Sequence, residues 1–109
     1  MDRASIFGSP LRDRILAILE HAGSSHAREL AVMLDASPEG VGKAVRRLEK
    51  DGLIVAIARG RTRVLQLNVR WFASRELRAL LDKMIEFEPR LASAAEVVRK
   101  RPRRSGKPL

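Results

Sequence analysis

The stretch from Ala27 to Asp51 constrains this chain more than any other. Ala27, Leu30, Ala31 and Leu34 fall on one face of a short helix, about 27–34. Asp35-Ala36 then leaves room only for a tight connection. Ser37-Pro38-Glu39 supplies a helix cap, a proline for the first turn and an acid at the positive end of the next helix dipole. In that next helix, about 38–51, Val41, Ala44, Val45 and Leu48 follow the i, i+3, i+4, i+7 pattern and face the core. Glu39, Lys43, Arg46 and Lys50 are left on the opposite face.

The flanks extend the same logic. Ser9-Pro10 opens a helix over about 10–22, with Leu11, Ile15, Ile18, Leu19 and Ala22 as its apolar face and Gly23 as its stop. After Asp51-Gly52, an apolar run from Leu53 to Ala58, a glycine turn at Arg59-Gly60-Arg61-Thr62 and the alternating Leu65 and Leu67 predict a β-hairpin over 54–67 with a basic tip. Leu77, Leu80, Leu81, Met84, Ile85 and Phe87 predict a longer helix over 71–88. Pro89 interrupts it, and Leu91, Ala94, Ala95 and Val98 predict a last one over 90–100. The result is a mainly α chain with a small β-hairpin wing: a winged helix-turn-helix over 1–69, C-terminal helices over 70–100 and a tail over 101–109.

Three segments carry a family resemblance: FGSPLRDRILAIL, ARELAVMLDASPEGVGKAVRRLEKDGLI and RGRTRVLQLN. Together, over about residues 5–69, they closely resemble the small bacterial and archaeal winged-helix regulators of the ArsR-like superfamily. FGSPLR and the ELRALL of residues 76–81 also look like winged-helix domains found beside, or fused to, small nucleotidyltransferases, although no nucleotidyltransferase domain is present. The resemblance implies double-stranded DNA as the partner, with helix 38–51 in the major groove and the hairpin tip over the adjacent minor groove or backbone.

Residue chemistry agrees with that implication. Glu39, Gly40, Lys43 and Arg46 are positioned to reach base edges, although Glu39 is better explained as a stabiliser of the helix N-terminus. Arg47 and Lys50, farther along, are suited to phosphates, as are Ser25, His26 and Ser37 at helix starts and Arg59, Arg61, Thr62 and Arg63 in the wing. Trp71 and Phe72 open an amphipathic helix, and read as core or dimer contacts rather than a base-stacking platform.

Charge has its own distribution. The chain of 109 residues carries 22 Lys and Arg against 13 Asp and Glu, a formal charge of +9, which favours a polyanionic partner. Residues 99–109 hold Arg99, Lys100, Arg101, Arg103, Arg104 and Lys107 and no acid, so 101–109, interrupted by Pro102, Gly106 and Pro108, is expected to be disordered. Such a tail serves either as a phosphate-binding arm or as a solubilising extension.

Several chemistries have no foothold. With no cysteine, there is no disulfide framework, thiolate metal site or thiol nucleophile. Two histidines, His21 and His26, are too few for a metal site. Ser25 beside His26 makes no nucleophile–base pair by adjacency, and Glu86 and Glu88 lie on different helix faces. No glycine-rich phosphate loop follows a strand. The expectation is a non-enzyme without cofactor or metal. The N-terminus does not read as a signal peptide, and the longest apolar runs, such as 15–19, fall far below the roughly 18 residues of a membrane span. The expected location is the cytoplasm.

Helix 71–88 has more apolar positions than a small core covers, so Trp71, Leu77, Leu81, Met84 and Ile85, joined by Phe7 and Leu11, are candidates for a homodimer contact. The alternative is that the helix after Pro89 folds back over them within one chain. As a whole, the sequence reads as a sequence-specific transcriptional regulator, a repressor rather than an activator. Two readings compete with it: a winged helix that docks a separate protein, such as a nucleotidyltransferase, or RNA, and a nonspecific chromosome-associated architectural protein.

Overall fold

A computed structural model describes residues 5–100; the tail expected over 101–109 lies outside the described residues. The element order is α1 (Pro10–Ala22), α2 (Ala27–Met33), α3 (Pro38–Lys50), β1 (Ile54–Arg59), β2 (Thr62–Leu67), α4 (Ser74–Phe87) and α5 (Pro89–Lys100).

Each of the first three helices begins with a side-chain cap. Ser9 Oγ accepts the Arg12 amide at 3.1 Å and Ser37 Oγ accepts the Gly40 amide at 3.0 Å, each ahead of a first-turn proline. His26 caps α2 through Nδ1, which accepts the Glu29 amide at 3.3 Å. Between α2 and α3 the chain turns on Asp35, whose φ of 52° is one that aspartate tolerates, and the Ala36 amide closes back on the Ala31 carbonyl.

β1 and β2 pair antiparallel from Ile54↔Leu67 to Arg59↔Thr62, around a two-residue loop of Gly60-Arg61. Gly60 has φ +62°, the left-handed value that a hairpin loop with glycine first requires. Ser25 adds a one-residue third strand: its amide and carbonyl both bond Leu65, at 3.1 and 2.7 Å. At the hairpin root, Asn68 donates from Nδ2 to the Gly52 carbonyl at 2.8 Å and from its amide to Leu53.

α1 is the spine. Ile15 through Leu19 are five consecutive buried residues, because α3 and β2 pack on this helix along with α4 and α5. Leu77, Leu81 and Met84 of α4 join Leu91, Ala95 and Val98 of α5 in the same core cluster as the helix-turn-helix residues. This corrects their assignment to a dimer face. Pro89 starts a helix that turns back along α1, and it covers the apolar stripe within the chain. Phe7, Leu11, Trp71 and Ile85 are partly buried against that core.

Candidate nucleic-acid interface

α3 presents the surface that its periodicity dictates. Val41, Ala44, Val45 and Leu48 are buried, and Glu39, Lys43, Arg46 and Lys50 are exposed on the far side. Among the described residues, no carboxylate pairs with Lys43, Arg46 or Lys50, so three cations project from one helix face. Arg47 lies to the flank and bonds Asp51 one turn on, at 3.1 Å. Gly40 is turned toward α1, where a side chain at this position would sit 3.8 Å from Leu11 Cδ2. It lines a lateral cleft and is not centred on the outer face.

The wing lies beside this helix. Arg59, Gly60, Arg61, Thr62 and Arg63 are all exposed. Arg63 is not free, however, since its Nη2 donates to Glu49 Oε2 of α3 at 2.6 Å. A second cleft of about 440 Å³ separates the wing from the start of α2, and Arg61, Thr62 and Arg63 face His26 and Arg28 across it.

Three helix-start residues were expected to meet phosphates. For Ser25 this is corrected: it is 1 % exposed, its backbone is used up by Leu65, and its hydroxyl donates to Glu29 Oε1 at 2.7 Å. His26 and Ser37 both act as caps through their side chains, and retain accessible surface at the edges of the interface.

Sequence reasoning missed two cations. Arg28, two residues after the α2 cap His26, is exposed and lines the cleft beside the wing. Arg12 lines a cleft of about 490 Å³ between the start of α1 and the flank of α3, together with Lys43, Arg46, Arg47 and Lys50. The available signal was the Gly8–Arg12 spacing in FGSPLRD, which places an arginine one turn beyond a glycine. Trp71 packs toward the α3–β1 turn and tilts against Phe72 at 4.8 Å between ring centroids, while Phe72 itself is 91 % exposed and belongs to no core.

The two histidines have structural partners. His21 Nε2 lies 2.5 Å from Glu96 Oε2, which ties α1 to α5, and His26 caps α2. Among the described residues, no group of three or more His, Asp or Glu side chains is arranged to hold a metal, and no helix is long and apolar enough to cross a membrane.

Comparison with known proteins agrees with this architecture. Residues 11–55 match the family model described as winged helix-turn-helix DNA-binding. The fold is similar to that of a ZitR mutant from Lactococcus lactis, with 21% identity, a TM-score of 0.59 and coverage of 82% of this chain. It is also similar to YusO from Bacillus subtilis (24%, 0.57, 84% of this chain and 72% of that one). A third is the adhesin competence repressor AdcR from Streptococcus pyogenes (20%, 0.59, 84% and 75%). The chain spans 59% of the length of the ZitR structure. No curated protein sequence matches it significantly. Residues 11–55 are therefore similar to winged helix-turn-helix DNA-binding domains, and the chain has that fold, with a hairpin that continues to Leu67.

Proposed function

We propose that this winged helix-turn-helix chain is a sequence-specific transcriptional repressor, with α3 lying in the major groove and the Gly60-Arg61 hairpin tip following the neighbouring backbone or minor groove. The observation that carries the reading is the outer face of α3. Lys43, Arg46 and Lys50 stand there without carboxylate partners among the described residues, beside a wing whose Arg59 and Arg61 are equally exposed. Arg46 and Lys43 are suited to base edges and Lys50 to phosphate. The word repressor in the name of the similar AdcR supports the sign of regulation.

Homodimerisation belongs to this proposal, because one module reads only a half-site. Phe7, Leu11, Trp71 and Ile85 keep accessible surface for such a contact. The protein works as a DNA-binding regulator and not as an enzyme, and its place is the cytoplasm.

The test is a fluorescence-anisotropy titration of the intact chain, and of residues 1–100, against the duplex upstream of its own gene and a scrambled duplex at two salt concentrations. A preference for the native duplex on the order of a hundredfold, with and without residues 101–109, supports specific regulation. Equal binding of both duplexes that vanishes with salt refutes it.

A further inference from the structure

We propose that the cleft between α1 and α3 seats a backbone phosphate of the bound duplex, and that Arg12 is the residue that holds it. This rests on the DNA-binding reading above and adds a contact outside the helix-turn-helix and the wing. Five cationic side chains line the cleft, Arg12, Lys43, Arg46, Arg47 and Lys50, and no carboxylate does. Lys43, Arg46 and Lys50 also form the outer face of α3, so the cleft opens onto the edge of the proposed groove-reading surface. A strand flanking the major groove passes that edge.

The residues before α1 hold Arg12 in place. The buried Asp13 carboxylate accepts the Phe7 amide at 2.8 Å and the Ile6 amide at 3.0 Å, which pins the incoming chain. Gly8 then turns with φ +107°, and the Arg12 guanidinium lies over it, donating from Nη1 to the Phe7 carbonyl at 3.2 Å. A β-carbon on Gly8 would overlap Arg12 Nη1. One of the five guanidinium N–H donors is thus spent on fixing the fork, and the others are left for an anion. Among the described residues Arg12 has no carboxylate partner. The motif FGSPLRD thereby acquires a role: each of Phe7, Gly8 and Asp13 contributes to aiming one cation.

Anisotropy titrations of full-length Arg12→Gln, Gly8→Ala and Arg14→Gln test the assignment, with thermal melts to verify folding. Arg14 is the control, an α1 arginine that faces Glu88 at 3.9 Å and lies outside the cleft. Arg12→Gln is expected to weaken native and scrambled duplexes alike by roughly three- to tenfold, and to lower the slope of log affinity against log salt by about 1. Gly8→Ala, which keeps the charge but displaces the guanidinium, should reproduce most of the loss of affinity. The proposal is overturned if Arg12→Gln binds within about twofold of wild type with an unchanged slope, or if Arg14→Gln loses as much. Failure of the wild-type chain to bind either duplex overturns the DNA-binding reading along with it.

Discussion

Arg63 on β2 and Glu49 on α3 form an ion pair of 2.6 Å that ties the wing to α3. Arg63 was expected among the wing's phosphate ligands, but its charge is already matched. Arg59 and Arg61 have no such partner among the described residues. In a salt series on duplex DNA, Arg59→Ala and Arg61→Ala should each reduce the slope of log affinity by about 1, and Arg63→Ala by less than half of that. Glu49→Gln releases Arg63, and should make the slope steeper than that of wild type.

Arg46 and Lys50 both stand on the exposed face of α3, at different distances from its N-terminus. Arg46→Ala should lower the ratio of native to scrambled affinity, at a cost of about 1–3 kcal/mol on the native duplex. Lys50→Ala should weaken both duplexes equally. Competition titrations with systematically substituted duplexes would separate the two effects.

The neighbours Leu80 and Leu81 distinguish the inner from the outer side of α4. Leu81 is fully buried and Leu80 is 38% exposed. Leu81→Ala is expected to cost about 2–5 kcal/mol in urea denaturation. Leu80→Ala should stay within about 1 kcal/mol of wild type.

Glu20 carries a pH signature. Burial pushes its carboxyl above the ordinary 4.5, the hydrogen bond from Arg78 opposes that shift, and Asp82 adds to it. The folded chain therefore binds a proton at Glu20 more readily than the unfolded chain does. The resulting stabilisation is complete below the unfolded pKa and is lost as pH rises through the folded one. Thermal melts of wild type and Glu20→Gln between neutral pH and pH 4 should show the wild type gaining on the variant as the pH falls. A gap that is constant across the range would contradict this.

What could be read from the sequence was what short spacings encode. The cap-and-proline starts at Ser9-Pro10 and Ser37-Pro38, the stripe from Val41 to Leu48 and the glycine turn of the hairpin all act within a few residues of themselves. Ser25 was misassigned because its backbone partner, Leu65, is remote in sequence and leaves no local trace. Leu77, Leu81 and Met84 are legible as one apolar stripe, but reading that stripe as a surplus left for a dimer face is wrong, since all three lie in the chain's own core. Their cover depends on how α5 leaves Pro89, and the pattern of α4 alone does not contain that information. Arg12 escaped notice for a similar reason: its importance comes from where α1 and α3 bring it, beside Lys43 and Arg47.

The hairpin is held firmly at its root and, among the described residues, by one side-chain ion pair, Arg63–Glu49, near its tip. Asn68 and the Ser25–Leu65 bridge hold its root, while every residue from Ala58 to Arg63 is exposed. Mechanically it is a beam clamped at its root and braced by a single salt-sensitive pair short of its tip. Amide exchange should therefore slow progressively from Arg61 toward Leu65, and in the DNA-binding role proposed above the same gradient would let the tip follow local variation in groove width while the root keeps its register against α3.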